Sequence, residues 1–107
     1  MNLTIDSQKH DTYYEIKVGG ELDVYTAPKL REVLMPIRTE GLYDIHLNIK
    51  DVTYMDSTGL GLFVGTLKDL NKNNRELYVL GVNARIERLF DITGLKELMH
   101  VNETEAK

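Results

Sequence analysis

The stretch Asp51-Val-Thr-Tyr-Met-Asp-Ser-Thr-Gly-Leu-Gly-Leu-Phe-Val-Gly-Thr-Leu67 decides how the chain folds. Just upstream, Ile45, Leu47 and Ile49 alternate with His46, Asn48 and Lys50, the two-residue period of a half-buried strand. Downstream, Leu60, Phe63, Val64, Leu67 and Leu70 recur at three-and-four spacing, which predicts an amphipathic helix from about Ser57 to Asn71. Between the two lies Asp56-Ser57-Thr58-Gly59, made of residue types whose side-chain oxygens accept the unpaired N–H groups of a helical first turn. A serine hydroxyl is thereby set at a helix N-terminus, where those donors and the macrodipole favour negative charge. Such a position suits a phosphate.

Outward from this centre the chain reads as alternating strands and helices. Leu3 to Asp6 is a short edge strand, and Tyr14, Ile16 and Val18 alternate with Tyr13, Glu15 and Lys17. The polar segment around His10-Asp11 joins these runs as antiparallel neighbours. Gly19-Gly20 punctuates, and pairing resumes over Glu21 to Val24. Thr26-Ala-Pro28 opens a helix, with Thr26 as N-cap and Pro28 in the first turn, where its missing N–H costs little. Leu30, Val33, Leu34 and Ile37 form its apolar stripe; Pro36 is expected to kink or end it, and Gly41 ends it in any case.

After Asn73-Asn74-Arg75 as a turn, Glu76 to Leu80 is a strand. Asn83 caps a third helix carrying Ile86, Leu89 and Phe90, which stops at Thr93-Gly94. Met99 to Val101 adds a short last strand, and the tail 102–107 is expected to be frayed. Parallel strands covered on both faces read as continuous apolar runs, whereas these alternate. The expectation is a two-layer α/β domain, a mixed β-sheet with helices packed mainly on one face, rather than a doubly wound one.

Composition bounds the function. The 107 residues suit one domain, 1–107, and 42% apolar with 28% charged residues is ordinary for a globular protein. The formal charge of −4, with no cluster of Lys and Arg, speaks against nucleic acid. Cysteine is absent, which excludes disulfides and thiol catalysis. The first residues lack the basic and apolar regions of a secretory signal, and no apolar run is long enough for a membrane span. A cytoplasmic protein without membrane attachment is expected.

The central stretch offers several chemistries. Ser57 as a nucleophile would need a base, yet His10, His46 and His100 fall in a turn, on a polar strand face and near the tail. It also lacks the G-x-S-x-G setting of a nucleophile elbow. Gly59-Leu-Gly61-Leu-Phe-Val-Gly65 has the position of a dinucleotide fingerprint, but the third glycine comes one residue late. Leu60 and Leu62 stand where a pyrophosphate would approach, and no P-loop lysine follows. No histidines and carboxylates gather at metal-ligand spacing, so no metal or cofactor is expected. The glycines themselves are costly, since each interior helical glycine loses about 0.8–1.0 kcal/mol against alanine. Gly61 and Gly65 share a face with Thr58 and Leu62, away from the apolar stripe, with Ser57 at its margin. Either they pack beneath a neighbouring loop, or they form a smooth strip where another protein's backbone comes close; Leu62, apolar on that face, favours the second.

Three segments carry a resemblance: Gly20-Glu-Leu-Asp23-Val-Tyr-Thr-Ala-Pro28, Tyr54-Met-Asp-Ser57-Thr-Gly-Leu-Gly61 and Arg88-Leu-Phe-Asp-Ile-Thr-Gly-Leu95. Together they resemble the bacterial anti-sigma factor antagonists, single STAS domains, and most of all their general-stress, sigma-B-type branch. The resemblance implies a non-enzymatic positive regulator of stress-response transcription that works by partner switching. Its unphosphorylated form binds an anti-sigma factor that is also a serine kinase of the histidine-kinase-like ATPase fold, and the sigma factor is released. That partner phosphorylates the serine matching Ser57, and a PP2C-type serine phosphatase removes the phosphate. The partner-binding set expected from the likeness and the helix start is Asp23, Tyr25, Thr26, Asp56, Ser57, Thr58, Gly59, Gly61, Leu62 and Gly65. A monomer is expected when free. A module sensing a nucleotide or small ligand, or a scaffold component of a stress-signalling assembly, is the alternative.

Overall fold

The computed structural model describes residues 2–102. In chain order come β1 (Leu3–Lys9), β2 (Tyr13–Leu22), α1 (Ala27–Glu40), β3 (Asp44–Met55), α2 (Ser57–Lys72), β4 (Leu77–Leu80) and α3 (Ala84–Thr93). A 3-10 turn, Leu95–Glu97, which the sequence did not announce, then leads into β5 (His100–Val101). The sheet order is β1-β2-β3-β4-β5, antiparallel between β1 and β2 and parallel from β2 to β5.

Strands lying in chain order constrain where the helices go. Each parallel neighbour is reached by a crossover, and such crossovers are right-handed almost without exception. Three of them running in one direction place α1, α2 and α3 on the same face. Burial agrees: Ile16, Leu47, Ile49, Leu77 and Val79 share one core with Leu30, Leu34, Phe63, Leu70 and Phe90. The two-layer arrangement is as expected, and the alternation in the strands is its cause.

The helix-free face carries a row of rings. His10 stacks on Tyr13 (4.5 Å between centroids), Tyr13 on His46 (4.0 Å), His46 tilts against Tyr78 (4.7 Å) and Tyr78 stacks on His100 (4.4 Å). Glu15 pairs with His10 and Glu76 with His100 at the two ends. All three histidines of the chain are engaged in this row.

Three local expectations need correction. The strand before the central helix does not stop at Asp51 but runs to Met55, because Val52 and Met55 continue the buried side at 2% and 6% exposure. Pairing resumes after Gly19-Gly20 as expected, across a register irregularity with Gly20 at φ +100, but β2 ends at Leu22 rather than Val24, where the chain turns. A Cβ on Gly20 would come within 2.0 Å of the Asn2 carbonyl oxygen, so glycine is required by close backbone approach. Pro36 neither ends nor interrupts α1, which continues to Glu40. Its ring lies on the exposed side of the helix, where water can take the carbonyl that loses its bond. Gly41, left-handed at φ 66, closes the helix as anticipated, its N–H donating to the Ile37 carbonyl.

Asn102, the first residue of the expected frayed tail, is instead held in place, accepting from the Val82 N–H (2.9 Å) and donating to the Val82 carbonyl (3.0 Å). Residues 103–107, the rest of the expected frayed tail, lie outside the described residues.

Candidate functional site

Because β2, β3 and β4 are parallel, their C-terminal ends share one edge of the sheet. Ligands of open α/β sheets meet the chain at that edge, where the connecting loops emerge. Three connections leave there: Asp23 to Thr26 before α1, Asp56 before α2, and Gly81 to Asn83 before α3. Leu22 lies opposite Met55 in the β2–β3 register, so the first two connections start side by side.

At the second connection a single residue turns strand into helix. Asp56 is the N-cap, in extended conformation, and its Oδ1 accepts the Thr58 N–H at 2.9 Å. Ser57 is therefore the first helical residue, and its side chain is exposed. Thr58 is exposed beside it.

The first connection is built differently. Asp23 is 9% exposed, and its Oδ1 accepts the N–H groups of Tyr25 (2.9 Å) and Thr26 (3.0 Å). Thr26, 5% exposed, donates its hydroxyl to the Glu21 carbonyl (2.7 Å) and accepts the Asp23 N–H (3.0 Å). Thr26 stands at the N-cap position of α1 but makes no side-chain cap bond. Its hydroxyl is already committed to the turn behind it. The effect is a closed loop of hydrogen bonds that holds Val24 and Tyr25 outward, at 57% and 79% exposure.

The three glycines of α2 divide between the two readings the sequence left open. A Cβ on Gly59 would meet Leu22 Cδ2 and Met55 Cγ, each at 2.9 Å, so this glycine lets the helix start press onto the sheet. A Cβ on Gly65 would meet Arg38 Nη2 at 2.9 Å, and that guanidinium bonds Asp69 (2.9 Å) and Thr66 (3.3 Å) across the α1–α2 contact. Gly61 has nothing within 4 Å of where its Cβ would be. Two of the three serve packing, and one faces open space.

Beside that open space, α1 and α2 flank a groove of about 480 Å³. Val24, Pro28, Arg31, Thr58, Gly61 and Leu62 line it, with Arg38 and Gly65 at its far end. Leu62 is partly buried against the core, so its apolarity serves the groove wall as well as the packing. No local pattern pointed to Arg31 or Arg38, whose roles depend on α1 lying next to α2. Val24 could have been found: an aliphatic residue inside a polar turn is its own signal.

The fold thus brings Tyr25, Asp56, Ser57, Thr58, Gly61 and Leu62 to one surface. Asp23, Thr26 and Gly59 lie beneath that surface, and Gly65 under Arg38. The histidines belong to the row of rings on the helix-free face of the sheet. Among the described residues no group of His, Asp and Glu could hold a metal ion, and no helix is long and apolar enough to cross a membrane.

Comparison with known proteins bears on this surface. The STAS domain family matches residues 4–107. The chain is 69% identical over 103 residues to the anti-sigma-B factor antagonist of Staphylococcus epidermidis, covering 96% of this chain and 95% of that one. It is 67% identical over the same shares to the anti-sigma-B factor antagonist of Staphylococcus aureus. The crystal structure of an anti-sigma factor antagonist from Mycobacterium paratuberculosis superposes with a TM-score of 0.80 at 24% identity, over 96% of this chain and 87% of that one. At that identity the likeness speaks to the fold.

Proposed function

This chain belongs to the STAS domain family, and from that premise we propose that it is an anti-sigma factor antagonist of the sigma-B type, switched by phosphorylation of Ser57. The unphosphorylated domain captures an anti-sigma factor that is also a serine kinase, and frees a sigma factor. The kinase phosphorylates Ser57; a PP2C-type phosphatase restores the hydroxyl. The domain acts as substrate and ligand, not as catalyst. Supporting the partner's nature are two relatives at 67–69% identity named anti-sigma-B factor antagonist. The observation that carries the switch is the exposed Ser57 at the first position of α2, next to an open patch around Gly61.

The physics of the switch is local. A phosphoserine adds about −1.5 to −2 charges and three acceptor oxygens. At a helix N-terminus the fold tolerates this, since the dipole offsets some of the repulsion from Asp56. The partner fares worse: a surface matched to a small hydroxyl must now desolvate a dianion next to a carboxylate. A penalty of about 1.4–2.8 kcal/mol weakens binding roughly ten- to a hundredfold. Docking needs Val24 and Tyr25 held out by the Asp23–Thr26 ring of hydrogen bonds, so the buried members of the expected set act by positioning.

Intact-mass measurement tests the assignment. The chain incubated with purified Staphylococcus epidermidis anti-sigma-B factor and ATP is expected to gain one phosphate, lost in Ser57→Ala. Only Ser7 offers a second serine, and Thr58 is the neighbouring hydroxyl. An adduct that survives Ser57→Ala removes Ser57 as the switch.

A further inference from the structure

A second groove opens at the same edge of the sheet, between the end of β3 and α3. It measures about 330 Å³, and its wall includes Tyr54, Arg85, Arg88, Leu89 and Ile92. Tyr54 lies three residues before Ser57 in the chain, and Asn83, the cap of α3, also lines the groove. Two of its side chains are large apolar groups left in water, Ile92 at 75% and Tyr54 at 50% exposure.

Charge on α3 is sorted by face. The two charged residues lining the groove are both arginines in a chain of net charge −4. Arg85, Arg88, Leu89 and Ile92 follow three-and-four spacing and so share one side of the helix. Glu87 and Asp91 lie on the other side, where Lys96 reaches both, at 2.7 and 3.8 Å. The hydrogen bond from Lys96 to Glu87, then the charge of Asp91, raise the lysine's pKa above its ordinary value. Among the described residues neither Arg85 nor Arg88 has a carboxylate within ion-pair distance. A helix that neutralises its acids on one side and leaves guanidinium groups beside aliphatic carbon on the other is suited to an acidic, aliphatic-bearing surface.

We propose that the β3–α3 groove is a second docking surface, and that its occupant is a segment of the partner protein carrying carboxylates next to a large aliphatic side chain. The proposal rests on the antagonist reading for the identity of the partner. The carboxylates pair with Arg85 and Arg88, and the aliphatic group packs among Tyr54, Leu89 and Ile92. Both grooves open at the C-terminal edge of the sheet that carries Ser57, so one partner can span them while covering the serine. The chain's own residues 103–107, Glu-Thr-Glu-Ala-Lys, follow Asn102, which is bonded to Val82 next to Asn83. They offer carboxylates but no aliphatic side chain larger than alanine, which is why a partner segment fits better. Exposed arginines of this kind act mainly on the rate and orientation of encounter, and their effect is screened by salt.

The test uses the full chain and purified Staphylococcus epidermidis anti-sigma-B factor, with affinity measured at low and high salt. The double reversal Arg85→Glu/Arg88→Glu is expected to weaken binding about tenfold or more at low salt, with a smaller deficit at high salt. Ile92→Ala should weaken it at both salts, while Lys96→Ala, on the far side of α3, should leave it unchanged. Thermal melting of each variant shows that the fold is intact. Wild-type affinity in the double reversal overturns the groove proposal, even where Ser57→Asp still abolishes binding. Should Ser57→Asp bind as well as wild type, the phospho-switch reading fails instead, and the arginine result stands on its own. A chain ending at Asn102 that binds more tightly, and no longer responds to the arginine reversal, would show the groove filled by the chain's own tail and overturn the proposal.

Discussion

Gly59 and Gly61 are two residues apart on the same helix and face opposite worlds. At Gly59 an added methyl group would collide with Leu22 and Met55, side chains 0% and 6% exposed. At Gly61 it would touch nothing. Both glycines weaken the helix by a similar amount, but only the first is compensated inside the molecule by closer packing of helix on sheet. The second has no such compensation among its neighbours, and the proposed docking of a partner would supply one. The inner side of the first turns of α2 is explained by the fold; the outer side is where the proposed partner would dock.

The same division extends to the carboxylates. Asp23 is buried and fixes a loop, whereas Asp56 is a half-exposed cap that leaves its neighbour Ser57 in solvent. Variants that move stability without touching the outer surface, and the reverse, can break this distinction. Gly59→Leu should have the largest effect, lowering unfolding stability by about 1–3 kcal/mol or preventing folding, as overpacking does. Urea unfolding measures it; wild-type stability would mean that the inner side has room and needs no glycine.

Asp23→Ala comes next. It strips the Tyr25 and Thr26 N–H groups of their acceptor and should cost about 1–3 kcal/mol, with partner affinity falling as the Val24–Tyr25 loop loosens. Asn at this position keeps an acceptor oxygen and should recover most of the stability. Asp56→Ala removes a helix cap, worth about 1 kcal/mol. Circular dichroism melts should show that loss while the Ser57 hydroxyl stays exposed and phosphorylatable. The smallest shift in stability, and the sharpest separation, belongs to Gly61→Ala. Melting should rise by the equivalent of about 0.8–1.0 kcal/mol of helix propensity, while binding of the anti-sigma factor weakens. A variant more stable and equally tight would place Gly61 with Gly59 as a mere feature of the fold.

Much of this was legible in the order of residues. The period-two strands and the Asp56–Gly59 cap cluster located α2 and its exposed serine, because both signals are local. Alternation in parallel strands also revealed that only one face is covered. What failed were features decided by distant contacts. Strand β3 outran its apparent end because Val52 and Met55 find a core supplied by other elements. Thr26 looked like a cap, yet its hydroxyl is claimed by Glu21 and Asp23. Gly65 resembled Gly61 in sequence and differs only because Arg38 arrives from α1. The paired grooves on either side of Ser57 depend on which helices become neighbours, and that information is not contained in any one segment.

The central claim turns on one oxygen atom. Isothermal titration of purified Staphylococcus epidermidis anti-sigma-B factor against this chain, once unmodified and once phosphorylated on Ser57, tests it most directly. Tight binding by the first and affinity at least about tenfold weaker for the second, a cost of 1.4 kcal/mol or more, is the predicted result. Equal affinity for the two forms would contradict it.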